Sequence, residues 1–234
     1  MALITINTDV VRPDRLRRYE ALVKELASQA RKQDEGWRWT AHFTAYGNTE
    51  SATFHYVQQT ESFAQLQQQG EVDEMVRRVM GEKAGEEMLQ EANECLLASR
   101  RSISRDRPDL SYPPDPGQTT SAAALISVAR ARPGRQEAVE EILRKIAEAI
   151  PKVDEPIRIT TYQTVIGDAL QYWTVRPLDE LGELDEQLTV SDLLEKAFGP
   201  AEGGLIFRSG LEAVEQLQRS ITIYRDELSN APQS

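Results

Sequence analysis

The chain repeats itself. Arg12-Pro13 through Gly47 returns 120 positions later, without a gap, as Arg132-Pro133 through Gly167. Glu20/Glu140, Ala27/Ala147, Asp34/Asp154, Glu35/Glu155, Arg38/Arg158, Thr40/Thr160 and Thr44/Thr164 coincide within that window. Beyond it the offset drops to 118, and Val57/Val175, Gly81/Gly199, Gly85/Gly203, Ile103/Ile221, Arg107/Arg225, Leu110/Leu228 and Ser111/Ser229 fall into step. One two-residue difference in a loop therefore separates the copies. A period this long is domain-sized, so the chain reads as two copies of one small fold rather than a solenoid. Each copy alone would bury only about 60–65% of its unfolded surface, so sharing an apolar face with its twin stabilises both.

Each copy has the same order of elements. Ala2 to Thr8 alternates and is rich in Ile and Thr, which predicts a strand, with Ala123 to Ala129 as its copy. Pro13 and Pro133 then stand at a first-turn position, ahead of apolar stripes through Leu16, Tyr19, Leu22, Val23 and Leu26 and through Val139, Ile142, Leu143 and Ile146. Second strands are expected from Trp37 to Tyr46 and Ile157 to Ile166, closed by Gly47-Asn48 and Gly167-Asp168 as hairpin turns. Third strands run from Ala52 to Gln58 and Leu170 to Arg176. Short helical pieces follow, with Gly81 to Gly85 and Gly199 to Gly204 expected to separate them. The fourth strands are placed at Ser99 to Arg105 and Gln218 to Tyr224. Strand, helix, strand, strand, helix, strand is the split βαβ order of a ferredoxin-like fold. The predicted class is α+β, with repeats at 1–106 and 121–229, a proline-bearing linker at 107–120 and a tail at 230–234.

A net charge of −11 argues against nucleic-acid and anionic-membrane partners, both of which need a basic patch. The single cysteine, Cys95, lies in an apolar pattern and reads as a buried thiol in a reducing compartment. The first residues lack the long apolar core of a signal peptide, and no apolar run approaches membrane length, so a cytoplasmic location is expected.

A sheet with helices on one side leaves its other face to be covered, and two such sheets closing on one another would form a barrel whose interior could hold a ligand. If the more apolar residues meet the helices, Ile4, Ile6 and Thr8 face them, and Thr5, Asn7, Leu125 and Ser127 point inward. On the second strands Trp39, Ala41 and Phe43 oppose Arg38, Thr40, His42 and Thr44, whose copies are Arg158, Thr160, Tyr162 and Thr164. Arg38 and Arg158 could hold an anion, with Thr40 and Thr160 beside them and Tyr162 and Trp173 giving aromatic contact. His42 and His55, the two histidines of the chain, are expected on neighbouring strands and could exchange a proton near neutral pH. The plainer reading is a pair of satisfied structural histidines. Two histidines without a well-spaced carboxylate or cysteine make no metal site, so none is expected. The glycine-bearing segments do not follow a strand and open a helix, as a phosphate loop must.

The duplicated element order, with Glu61-Ser62-Phe63 entering the second helical region, resembles the dimeric α+β-barrel superfamily, which includes antibiotic-biosynthesis-type monooxygenases and NIPSNAP-like proteins. The resemblance implies an intrachain dimeric α+β barrel, an internal pseudo-dimer. Haem-degrading members carry an Asn on the first strand, a Trp late in the third and a His on the next helix. Asn7 meets the first condition, Val57 stands near the second position, and no His follows, so no haem or other cofactor is expected. The leading expectation is a protein that binds a small anionic or aromatic molecule. The alternatives are a cofactor-independent monooxygenase using His42, His55 and Asn7, and a scaffold whose outer edges or helices form homo-oligomers.

Overall fold

The computed structural model describes residues 2–47, 51–114 and 121–231. They form two compact units, one of residues 1–104 with 223–234, the other of residues 105–222.

In the first unit, strand Leu3–Val11 (β1) runs through a short turn at Pro13–Arg15 into helix Leu16–Lys32 (α1). The helix buries Tyr19, Leu22, Ala27 and Ala30, the stripe expected from the 3.6-residue period. It stops where Asp34 adopts a positive φ of 50° and the Glu35 N–H returns to the Ala30 carbonyl. Strands Thr40–Gly47 (β2) and Ala52–Thr60 (β3) form the hairpin, and Asn48 lies outside the described residues. Helices Phe63–Gln69 (α2), Val72–Met80 (α3) and Glu82–Cys95 (α4) lead into strand Leu96–Asp106 (β4). The strand order is β4-β1-β3-β2, with β1 and β2 both antiparallel to β3.

The second unit follows the same plan. Strand Ala123–Ala131 (β5) precedes helix Gln136–Lys152 (α5), which ends at Asp154 with φ 54°. Thr160–Ile166 (β6), Gln171–Leu178 (β7), helices Val190–Phe198 (α6) and Pro200–Ala213 (α7), and strand Val214–Tyr224 (β8) complete it, in the order β8-β5-β7-β6. In place of a counterpart to α2 there is a single 3-10 turn, Leu181–Leu184.

Three details differ from the sequence reading. Gly81 and Gly199, with φ 85° and 89°, break the helical pieces as expected, but Gly85 and Gly203 lie inside α4 and α7. Each is where two helices cross: a Cβ on Gly85 would lie 2.7 Å from the Arg77 Cα, and one on Gly203 2.5 Å from the Leu194 carbonyl. The fourth strands also begin earlier, at Leu96 and Val214. Finally, the compact units are not contiguous halves. Arg107–Tyr112, expected as part of a linker, is packed into the second unit, where Leu110 is fully buried. Asn230, expected in the tail at 230–234, is fully buried in the first unit, donating to the Glu35 and Trp37 carbonyls. Residues 115–120 and 232–234 lie outside the described residues.

Candidate functional site

The hairpin register decides which residues share a face in the first unit. Phe54 and Tyr56 of β3 pack with Tyr19, Ala41 and Phe43 under the helices, so His55 between them points to the opposite face. His55 pairs in register with His42 on β2 and with Thr8 on β1. Its Nδ1 lies 3.0 Å from Thr8 Oγ1 and its Nε2 3.0 Å from Thr44 Oγ1. His42 Nε2 lies 3.0 Å from Thr40 Oγ1, and the His42 ring meets Tyr224 at 5.7 Å between centroids. Burial lowers both imidazoles to about 4, and for His55 the neighbouring His42 adds to the effect. Both are therefore neutral at pH 7. Each threonine hydroxyl can accept from an N–H or donate to a ring lone pair, so a neutral His55 is satisfied at both nitrogens.

The expected neighbours of this pair are only partly there. Thr40 and Thr44 share its face, as the alternation of β2 requires. Asn7 does not. Asp9 accepts a 2.6 Å hydrogen bond from the Tyr19 hydroxyl of α1, so the odd-numbered residues of β1, Asn7 included, face the helices, and Thr8 takes the other side. The expected orientation of β1 is thus inverted. Arg38 precedes β2 and turns to Asp34 and, at 3.2 Å, to the Asn230 side-chain oxygen, while Arg158 is exposed. Arg38 is not left free to hold an anion, because β2 begins two residues later, at Thr40, and Arg38 is drawn to Asp34 and Asn230 instead. In the second unit, Tyr162 and Trp173 are register partners at the positions of the two histidines, and Trp173 Nε1 donates to Thr164 Oγ1 at 3.1 Å. Thr160 is half-buried opposite Val175.

The helix side of the first unit holds a cavity of about 260 Å³. Its walls are Leu22, Val23 and Leu26 of α1, Val72, Met75 and Val76 of α3, Met88, Leu89 and Ala92 of α4, and Trp37 and Trp39 ahead of the second strand. The indoles of Trp37 and Trp39 are buried in the same cluster as the apolar residues of these helices, the latter fixed by a 2.8 Å bond from Nε1 to the Leu228 carbonyl.

One end of the cavity is polar. Asp9 Oδ1 accepts from Ser99 Oγ at 2.6 Å while Oδ2 accepts from Tyr19, and the Asn7 side-chain oxygen accepts from Arg101 Nε at 2.8 Å, leaving the Asn7 NH2 to donate. The Tyr56 hydroxyl lines the same cavity and is buried; its polar neighbour is the Tyr19 hydroxyl, already given to Asp9, and the two make no well-formed hydrogen bond. Burial raises the Tyr56 and Tyr19 hydroxyls well above the usual phenol range, so both stay protonated and able to donate.

Periodicity put Tyr19 on the apolar stripe of the first helix but did not single out Asp9 or Tyr56, nor give any of the three a role in a site. A signal was nevertheless present: at the repeat offsets their counterparts are Ala129, Val139 and Thr174, and Ser99 answers to Leu217. Three of these four positions are apolar in the second copy, and the fourth carries the much smaller Thr174. The second copy is also closed more tightly there, since Ala92 is replaced by Gly210, and a Cβ at Gly210 would fall 2.1 Å from Ile142 Cδ1.

Among the described residues no three His, Cys, Asp or Glu side chains group together as metal ligands. A histidine-held haem does not fit here, because both histidines are on the sheet face opposite the cavity and α1, α3 and α4 carry no histidine. No helix among the described residues is long and apolar enough to cross a membrane.

No protein-family model matches the chain, and no curated protein matches it. Solved structures do. A Fusobacterium nucleatum subsp. nucleatum protein provisionally named a monooxygenase superposes with a TM-score of 0.57 at 9% identity, covering 95% of this chain and 92% of that one. An anthrone oxidase-like protein gives 0.56 at 12% identity over 100% and 97%. The chlorite dismutase of Candidatus Nitrospira defluvii gives 0.53 at 12% identity over 97% and 93%. The fold is that of the dimeric α+β-barrel superfamily. At these identities the likeness is one of fold, and function rests on the side chains.

Proposed function

We propose that the first unit binds one small, largely apolar ring compound carrying a hydrogen-bond acceptor, in the cavity between its helices and its sheet. The observation that carries this reading is the Tyr56 hydroxyl. Its weak contact with the Tyr19 hydroxyl leaves the O–H poorly satisfied; a buried hydroxyl wholly without a partner costs about 1–3 kcal/mol, and an oxygen on a bound molecule would recover part of that. Apolar walls with a few convergent polar groups are what such sites are made of, and pockets for drug-sized ligands measure about 300–1,000 Å³, so a cavity of about 260 Å³ suits a smaller compound of one or two rings. The Asp9 carboxylate at the polar end disfavours a carboxylate or phosphate placed there, so the ligand's acceptor is neutral. The anionic ligand of the sequence reading gives way to the aromatic one.

The test is a titration of the Trp37 and Trp39 fluorescence with 1-tetralone, a two-ring ketone, in a Trp173→Phe background. Saturable quenching at one site per chain is expected, and Tyr56→Phe should weaken it by roughly 2- to 12-fold, the worth of one hydrogen bond. Unsaturable quenching, or equal binding by Tyr56→Phe, counts against the reading.

Oxidation of the bound compound is the second reading, and it is the activity in the name of the anthrone oxidase-like neighbour. Asn7 and Tyr56 favour it, because two donors at one end of an apolar cavity can stabilise negative charge forming on a ring oxygen as the Asp9 carboxylate takes a C–H proton, with dioxygen as the oxidant that accepts the electrons. His42 and His55 take no part in this version, being on the other face of the sheet. Oxygen uptake with anthrone measures it; binding without uptake retires the oxidation and leaves the binding.

A further inference from the structure

Past Asn7 and Tyr56 the helix-facing side of β1 and β3 stays polar. Thr5 and Gln58 are the next register pair on that side, and Leu3 with Thr60 the one after. Thr5 and Thr60 are 2% exposed and Gln58 4%, yet the two hydroxyls and the Gln58 side-chain oxygen have no hydrogen-bond partner. Buried oxygens left unpaired are costly, and three stand here on neighbouring positions of two paired strands. The fold does not demand them. At the repeat offsets Thr5 and Thr60 answer to Leu125 and Leu178, while Arg176, in the place of Gln58, turns to Glu183 at 3.6 Å. What lies against this end of β3 also differs between the units. In the first it is α2, whose last residue, Gln69, accepts from Gln58 Nε2 at 2.8 Å, and the second unit has no such helix. None of the residues of α2 is buried, so moving it aside uncovers no apolar core.

From this we infer that Thr5 and Gln58 form a second subsite beneath α2, continuous with the cavity, and that the ring compound taken up carries a hydrogen-bond donor such as a hydroxyl on the edge opposite its acceptor. The inference rests on the cavity reading above and extends it to the class of ligand. Successive positions on one face of a strand are about 7 Å apart, a span that a ring with a substituent at each end bridges. The acceptor lies at Asn7 and Tyr56 and the donor at Thr5 and Gln58, which gives the ring one direction in its site. Gln58 Oε1 can only accept, so an ether at that edge leaves it unpaired where a hydroxyl does not.

Three ketones that differ at one position test it in the same fluorescence titration: 1-tetralone, 6-hydroxy-1-tetralone and 6-methoxy-1-tetralone, at slightly acidic pH so that the phenol stays neutral. The hydroxy ketone should bind roughly 2- to 12-fold tighter than 1-tetralone, the worth of one hydrogen bond, and the methoxy ketone no tighter than 1-tetralone. The double variant Thr5→Val, Gln58→Met should close the gap between the hydroxy ketone and its parent. Without any ligand, Thr5→Val keeps the shape of the side chain and removes only an unpaired oxygen, so its melting temperature should hold or rise. Equal binding by the hydroxy and unsubstituted ketones, a methoxy ketone as tight as the hydroxy one, a gap that survives the double variant, or a clear fall in the Thr5→Val melting temperature would overturn the inference while leaving the cavity reading in place. Failure of all three ketones to bind removes both.

Discussion

The Arg107 guanidinium grips Glu140 with two parallel hydrogen bonds, Nη1 to Oε1 and Nη2 to Oε2, both 2.8 Å. The first unit repeats the pair as Arg225 and Glu20, at 2.9 Å. In both units the arginine begins the segment after a fourth strand, and four residues on a serine closes it: Ser111 Oγ donates to the Arg107 carbonyl and accepts from Thr161 N–H, as Ser229 Oγ does with Arg225 and Ala41. Between them Leu110 and Leu228 are buried as plugs.

Arg107→Ala should therefore cost about 2–3 kcal/mol in urea unfolding, less than for a fully buried pair because both groups keep some contact with water. Glu140 would be left with only the 2.8 Å bond from Tyr172. Hydrogen bonding from Arg107 holds the Glu140 carboxyl below its ordinary value of 4.5, so its contribution is present above that pH and fades as acid protonates it. A loss under 0.5 kcal/mol would show that the segment is held by Leu110 and Ser111 alone.

His42 and His55 should make the first unit acid-sensitive. Their folded values, about 4, lie below the ordinary 6.5, so between these limits the unfolded chain binds more protons than the folded one. Stability is then full above pH 6.5 and falls as the pH drops towards 4, by up to about 3 kcal/mol per histidine. His55→Gln should flatten this slope relative to the parent when unfolding is measured at pH 7 and pH 4.5. Parallel losses in the two proteins would mean that carboxylates alone set the acid limit.

Two adjacent glycines of α7 should answer oppositely to the same change. A Cβ at Gly203 would stand 2.5 Å from the Leu194 carbonyl carbon and oxygen, a backbone contact that cannot rotate away, so Gly203→Ala should destabilise by about 1–3 kcal/mol. At Gly204 the nearest atom is 3.7 Å away, at the end of the Arg208 side chain. Gly204→Ala should be neutral or add up to about 1 kcal/mol through helix propensity. Thermal melts of the two variants decide it, and similar shifts would deny the close crossing of α6 and α7.

Asp154 ends α5 with φ 54°, a region that costs a residue with a Cβ roughly 1–2 kcal/mol. Asp154→Gly should relieve part of that and raise stability by about 0.5–1 kcal/mol. A fall in melting temperature would instead point to a role for the Asp side chain in the turn.

The duplication, the order of elements in each copy and the two faces of β2 were written in the chain, because all three depend on neighbours in sequence: matched offsets, 3.6- and 2-residue periods, and turn dipeptides. Trp39, Ala41 and Phe43 could be set against Thr40, His42 and Thr44 since one set is apolar and the other polar. The same alternation could not orient β1. Leu3, Ile4, Thr5 and Ile6 are all buried, Thr5 to 2% exposure, so both sides of that strand are covered and hydrophobicity no longer distinguishes them. Only the contact between Asp9 and Tyr19 places Asn7 beneath the helices and Thr8 beside His55. The cavity is tertiary for the same reason: its walls come from β1, β3, three helices and two indoles far apart in the chain, a spacing that no local pattern encodes.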